Sequence, residues 1–163
     1  MYYKSDTLVI REFVASECSM FLELFESPNV TKYLSYQTPE QYRGMFGKAL
    51  TDYKNSPFSR WGVFNTKGTE CVGMCMVRIF VENTNQLEIG YSISEKYWGK
   101  GIGTEICRAL VHYCLSLSKD KDIVAVTDLD NIGSQKVLTK VGFERKEDIK
   151  REQEVLAYFI FQK

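Results

Sequence analysis

The chain predicts an α+β fold: a central mixed, mostly antiparallel twisted sheet flanked by about four helices. Two observations carry that expectation. Alternating runs of β-branched and aromatic residues cluster between Trp61 and Ile93, with turn residues between them. Apolar residues recur at helical spacing before and after that region, so strand-like and helix-like stretches interleave along the chain. With 163 residues and no repeat, linker or low-complexity stretch, a single domain over 1–163 is expected.

In chain order, Leu8-Val9-Ile10 reads as a short strand. Phe21, Leu24 and Phe25 then recur at helical spacing, with Ser16 as the expected N-cap. Thr38-Pro39-Glu40-Gln41 opens a second helix, combining a hydroxyl cap, proline at the first helical position and a capping-box glutamine. Tyr42, Met45, Phe46, Ala49 and Tyr53 should line its buried face. Strands are expected over 61–64, 71–81 and 86–93, joined by Asn65-Thr66-Lys67-Gly68 and Asn83-Thr84-Asn85 as an antiparallel meander. A helix starts after Gly103, with Ile106, Leu110, Tyr113 and Leu117 on its buried side. Ile123–Thr127 reads as a strand, Ser134–Val141 as a helix and Val155–Phe161 as a closing strand.

Composition narrows the function. Apolar residues at 44% and charged residues at 26% match an ordinary globular protein. Lysine plus arginine equals aspartate plus glutamate, at 21 each, so direct nucleic-acid binding is not expected. Five cysteines without matching His/Cys pairs imply buried thiols rather than a metal site. No run resembles a signal peptide or a membrane span, which makes a reducing cytoplasm the expected compartment.

The chemistry sits in Glu88-Ile-Gly-Tyr-Ser-Ile-Ser-Glu-Lys-Tyr-Trp-Gly-Lys-Gly-Ile-Gly-Thr104. Gly99, Gly101 and Gly103 let the backbone turn tightly ahead of a helix N-terminus, whose partial positive charge accommodates an anion such as pyrophosphate. Lys100 adds a mobile cation. The spacing matches neither the dinucleotide fingerprint, which would need glycine at Thr104 or Ile106, nor a P-loop. Gly90 interrupts a strand, suggesting a bulge or a close backbone approach that would leave backbone groups for an extended, amide-bearing ligand. Coenzyme A offers both a pyrophosphate and an arm with amides.

This segment resembles the acyl-CoA loop of the GCN5-related N-acetyltransferase (GNAT) superfamily, [QR]-x-x-G-x-[GA]. Gly101 and Gly103 hold the last two positions, and Trp98 stands in place of Gln or Arg. A second family element, N-x-x-[SA] with G-F further on, is similar to Asn131-Ile-Gly-Ser134 and Gly142-Phe143. Tyr-Trp-Gly-Lys-Gly, Thr7-Leu-Val-Ile-Arg11 and Ser27-Pro-Asn-Val30 resemble the RimJ/RimL-type ribosomal-protein acetyltransferase branch.

The resemblance implies acetyl-CoA as cofactor and no metal. It implies that the backbone of Tyr91 and Ile93 binds the pantetheine amides. Trp98, Gly99, Lys100, Gly101, Ile102, Gly103 and Thr104 would cradle the pyrophosphate. Asn131 would touch the pantetheine arm, and Ser134 would lie near the thioester sulfur. Many members carry a tyrosine acid four residues beyond Ser134, where this chain has Leu138; Ser134 is then the natural proton donor to the leaving thiolate, or else a cap of the last helix. Glu88 is the first expectation for the base that takes the amine's proton, with Glu152 and Glu154 competing and His112 read as a packing or surface residue.

An α-amine with a pKa near 8 needs little help at neutral pH, whereas a lysine amine near 10.4 must lose roughly 4–5 kcal/mol to become neutral. An ambiguous base therefore favours a protein N-terminal α-amine as acceptor. The rival enzymatic reading is a small amine, such as a polyamine, amino sugar or amino acid. A non-catalytic acyl-CoA sensor is the third. Tyr33, Tyr36, Gln37 and Trp61 are the expected acceptor-lining residues. A monomer or homodimer is expected.

Overall fold

A computed structural model describes residues 1–163. The strands are β1 (Tyr3–Lys4), β2 (Leu8–Arg11), β3 (Arg60–Asn65), β4 (Cys71–Ile79), β5 (Gln86–Ile93), β6 (Asp122–Asp128), β7 (Phe143–Arg145), β8 (Ile149–Arg151) and β9 (Glu154–Phe161). Five α-helices accompany them: α1 (Cys18–Glu23), α2 (Pro28–Thr31), α3 (Pro39–Asn55), α4 (Ile102–Leu117) and α5 (Ile132–Val141). Short 3-10 turns cover Ala15–Glu17 and Glu95–Tyr97. The sheet order is β1-β2-β3-β4-β5-β6-β9-β7, with β8 on β9. Only β5 and β6 pair in parallel among the registers described, so the mixed, mostly antiparallel expectation holds.

The chain forms two compact units. The first comprises Met1–Met76 with Tyr91–Ile102. Its core is aromatic: Phe13, Phe21, Leu24, Tyr42, Phe46, Phe64 and Met74 form one buried cluster. Phe13 meets Phe21 edge-on at 5.6 Å between ring centres, and Phe25 stacks on Tyr42 at 4.1 Å. Each such ring buries enough apolar surface to contribute about 1.5–3 kcal/mol.

α3 begins where the sequence indicates. The Thr38 hydroxyl accepts from the Gln41 amide at 3.2 Å, and the Gln41 side chain accepts from the Thr38 amide at 2.7 Å. Tyr42, Phe46 and Ala49 of its apolar stripe are buried. Tyr53, further along that stripe, is a connector: its hydroxyl donates to the Arg60 carbonyl at 2.5 Å and accepts from the Phe13 amide at 3.2 Å. Burial pushes its phenol pKa up to about 12. The expected cap at Ser16 is replaced by a 3-10 turn, where the Glu17 carboxylate accepts from the Val14 amide at 2.9 Å. A side chain at the third position of the turn reaches back to the cap residue's own amide, the half of a capping box that a glutamate supplies.

In this unit β4 carries a close backbone approach. A Cβ built on Gly73 would overlap the Ser92 carbonyl oxygen and lie 3.1 Å from the Ile93 Cα. Glycine is needed there for space, not for an unusual φ.

The second unit comprises Val77–Gly90 with Gly103–Lys163. Here β5 runs parallel to β6 over Gln86↔Asp122, Leu87↔Ile123 and Glu88↔Val124. β6 meanwhile pairs with β9 from Val124 through Asp128. α4 buries Ile106, Cys107, Leu110, Val111 and Cys114. The expected stripe is thus rotated. Leu117 is 38% exposed, and the small thiols of Cys107 and Cys114 occupy the core face instead. Burial raises both thiols to about 12, which keeps them protonated and inert. α5 packs on β6 and β7, burying Leu138.

Strands β1, β7 and β8 have two or three residues each. Stretches that short show no periodicity, so the sequence does not predict them.

Gly73→Ala should lower unfolding stability by roughly 1–3 kcal/mol, because the new methyl meets backbone that cannot swing aside. Urea denaturation measures this, and a stability within error of the parent would show that β5 yields freely at Ser92.

Candidate functional site

In the first unit, β5 ends at Ile93 and passes through a braced turn into a glycine loop. The Ser94 amide donates to the Val72 carbonyl at 2.9 Å. The Tyr97 and Trp98 amides then donate back to Ser94 and Glu95 at 2.9 and 3.0 Å. Glu95 accepts from Asn29 Nδ2 at 2.9 Å and from Ser27 Oγ at 3.3 Å, and Lys96 pairs with Glu70. Trp98 Nε1 donates to the Ile93 carbonyl at 2.8 Å.

Beyond Trp98 the backbone turns on glycine. Gly99 and Gly101 take φ of 73° and 79°, the left-handed region, and the space around a Cβ at either position is open to 4 Å. These two glycines are therefore required by the path of the loop, not by crowding within the protein. Lys100 Nζ lies 5.2 Å from the centre of the Tyr97 ring. The chain then enters α4 at Ile102, so the first-turn amides of Ile102, Gly103 and Thr104 lack intrahelical acceptors. A loop of upturned glycines leading into such helix amides fits a pyrophosphate.

In the second unit, Asn131 is the N-cap of α5: its Oδ1 accepts from the Ser134 amide at 3.1 Å. Ser134 stands at the third helical position and is partly exposed. The capping role open to Ser134 thus belongs to Asn131. Leu138, one turn further, is buried.

Glu88 lies in a network of arginines in the same unit. Across the β4–β5 turn the Phe80 amide donates to Gln86, so Arg78, two residues back, faces Glu88, two residues on. Arg78 Nε and Nη2 donate to the two Glu88 oxygens, both at 2.9 Å. Arg151 adds donations at 3.2 and 3.4 Å and holds Glu82 at 2.6 and 2.9 Å. The Glu88 side chain is 3% exposed. A carboxylate offers about four lone-pair directions, and four guanidinium contacts take them up. That is the geometry of a buried charge clamp. Sequence reasoning does not single out Arg78, Arg151 or Glu82. Hairpin symmetry about Asn83 would pair Arg78 with Glu88, whereas Arg151 lies 63 residues away.

The competing acids are placed otherwise. Glu152 sits at the β8–β9 turn with φ of 53°, and Glu154 is exposed at the start of β9. His112 is exposed on α4. Tyr36 is 86% exposed in the segment between α2 and α3, where Gln37 is half-buried beside the Thr38 cap, and Tyr33 is half-buried. Trp61 is 2% exposed within β3, so it acts from the core and not as an open wall. No group of three or more His, Cys, Asp or Glu side chains is arranged to hold a metal. No helix is long and apolar enough to cross a membrane.

Sheet order, glycine loop and helix start fit an acyl-CoA-dependent transferase. The family match makes this specific: residues 7–144 match the acetyltransferase (GNAT) domain, and the chain belongs to that family. It is similar to the uncharacterised N-acetyltransferase YoaA of Bacillus subtilis, 26% identical over 146 residues that cover 88% of this chain and 82% of the relative. The fold is similar to a GNAT-family acetyltransferase from Bacillus anthracis, with a TM-score of 0.78 at 24% identity over 98% of this chain and 96% of that one. It is also similar to a RimL ribosomal L7/L12 α-N-protein acetyltransferase in complex with coenzyme A. That TM-score is 0.82 at 16% identity, over 98% and 97% of the two chains. The protein is an N-acetyltransferase of the GNAT type, and its cofactor is acetyl-CoA.

Replacing Arg151 by Met should reduce stability at pH 7 by roughly 1–3 kcal/mol, the scale of charged hydrogen bonds lost to Glu88 and Glu82. Hydrogen bonding to Arg151 holds the Glu82 carboxyl below its ordinary range. A depressed carboxyl stabilises the fold above its unfolded value, near 4.5, and that contribution is lost as pH falls through the lower folded value. The variant should therefore show a shallower stability loss below about pH 4.5 in urea titrations; an unchanged acid limb would show that Glu82 contributes nothing through Arg151.

Proposed function

We propose that this acetyltransferase acts on a protein N-terminal α-amine, with residues 98–104 holding the pyrophosphate of acetyl-CoA and Ser134 serving as proton donor. The observation that carries the cofactor assignment is the pair of left-handed glycines, Gly99 and Gly101, leading into the first turn of α4. Acetyl-CoA supplies a thioester whose carbonyl carbon the neutral amine attacks. Tyr91 and Ile93 offer backbone groups at the end of β5, and Asn131 offers its side-chain amide at the start of α5.

The role of Ser134 is to donate the proton of its Oγ to the departing sulfur as the C–S bond breaks, its hydroxyl being restored by the proton that the amine nitrogen sheds on forming the amide. Its place in the first turn of α5 supports this, because the positive end of a helix favours negative charge developing nearby. Buried Leu138 carries no proton, so the hydroxyl one turn earlier is the nearer acid on that helix.

The acceptor is argued from the amine's own acidity. With Glu88 held by Arg78 and Arg151, the strand glutamate is engaged elsewhere, and an acceptor that is partly neutral at pH 7 fits best. The RimL neighbour is described as an α-N-protein acetyltransferase, which agrees with that choice. A small amine is the second reading.

Calorimetric titration with acetyl-CoA, beside NADH and ATP, tests the cofactor assignment. Selective micromolar binding that disappears in Gly101→Val is the expected result, and unchanged binding in that variant would remove the loop from the cofactor site. Peptides with free N-termini should turn over faster than polyamines or amino sugars; the reverse order would overturn the acceptor. For Ser134→Ala, kcat should fall at least tenfold with little change in acetyl-CoA affinity, and a parental kcat would remove its acid role.

A further inference from the structure

We propose that Trp98 is a latch that sets the glycine loop for pyrophosphate: its indole N–H, bound to the last carbonyl of β5, fixes where the loop takes off. The inference rests on the assignment of residues 98–104 as the pyrophosphate-binding loop.

Trp98 is 46% exposed, against 2% for Trp61. A ring recruited to fill the core would be buried as Trp61 is. Nearly half of this one faces solvent, so its orientation is set by what its polar edge bonds to. That partner is the Ile93 carbonyl at 2.8 Å, five residues back. The bond closes a loop around the Glu95–Tyr97 turn and ties the strand end directly to the residue that precedes Gly99.

The approach to Trp98 is braced throughout. Val72 holds Ser94, Ser27 and Asn29 hold Glu95, and Glu70 holds Lys96. On the far side of Trp98 lies Gly-Lys-Gly, with two left-handed glycines and open space about each. Glycines lose more conformational freedom on ordering than other residues. A ligand that had to organise the loop itself would bind more weakly by that cost. The Trp98 bond stands immediately before the glycine stretch, placed where it can limit that cost in advance.

Trp98→Phe tests the latch, since it keeps an aromatic ring and deletes the N–H. Expected are an unchanged unfolding midpoint and a Kd for acetyl-CoA raised roughly three- to tenfold, the scale of one hydrogen bond. KM for acetyl-CoA should rise in step while kcat at saturation stays put. In the ligand-free protein, backbone amide exchange over residues 98–103 should accelerate, with the rest of the chain unchanged. Parental exchange over that stretch, or parental affinity despite faster exchange, would overturn the latch. If the parent protein itself fails to bind acetyl-CoA, the cofactor assignment falls, and exchange in the ligand-free variant still decides whether Trp98 orders the loop.

Discussion

The Glu88 carboxylate is almost sealed from water, and a charge so placed is tolerated only with close partners, since desolvation alone costs several kcal/mol. Arg78 supplies two bonds from the neighbouring strand and Arg151 two more from β8. Arg151 in turn engages Glu82, so two acids and two guanidinium groups alternate along a chain of contacts. This cluster stands at the last residue of β5 registered against β6. β5 therefore leaves its parallel partner from an anchored point. Such a cluster contributes specificity of position more than raw stability, because a well-packed apolar replacement can be as stable.

At its other end β5 is held differently. Gly73 lets β4 come close to Ser92, the Ser94 amide bonds to Val72, and the Trp98 indole caps Ile93. Constraint is thus concentrated on the end of the strand and on Trp98, immediately before the glycine loop. That arrangement suits a site that must present backbone amides to an anion. A rigid approach places the donors, and glycine supplies φ values that other residues adopt with strain.

Much of this is legible in the residues, for physical reasons that can be named. The capping box at Thr38–Gln41 and the strand over 86–93 rest on local chemistry, and local chemistry is written contiguously. The glycine loop is equally plain, because left-handed backbone favours glycine. The Glu88 cluster is not, since Arg151 is distant in sequence and an isolated strand glutamate has the same appearance whether clamped or catalytic. Trp61 reads as an aromatic wall for the acceptor and lies in the core, because pattern alone does not tell a lining ring from a filling one. On α4 the expected stripe misses because Leu117, on that stripe, is 38% exposed, while Cys107 and Cys114, read as buried thiols from the sequence, take the core face as small hydrophobes.

The clamp on Glu88 bears on chemistry as well as on structure. A base must offer a lone pair at the moment the amine loses its proton, and a carboxylate filled by guanidinium donors would have to break charge-assisted bonds to do so. Each such bond is worth about 1.5–3 kcal/mol. Disengaging Arg151 alone would therefore add a cost comparable to the 4–5 kcal/mol or so that deprotonating a lysine-type amine already requires. An α-amine avoids that conflict, since a tenth or so is neutral near pH 7 without assistance. The same arginines that anchor Glu88 on β5 thus stand against its use as the amine's base, and that conflict is the ground on which an α-amine is proposed as the acceptor.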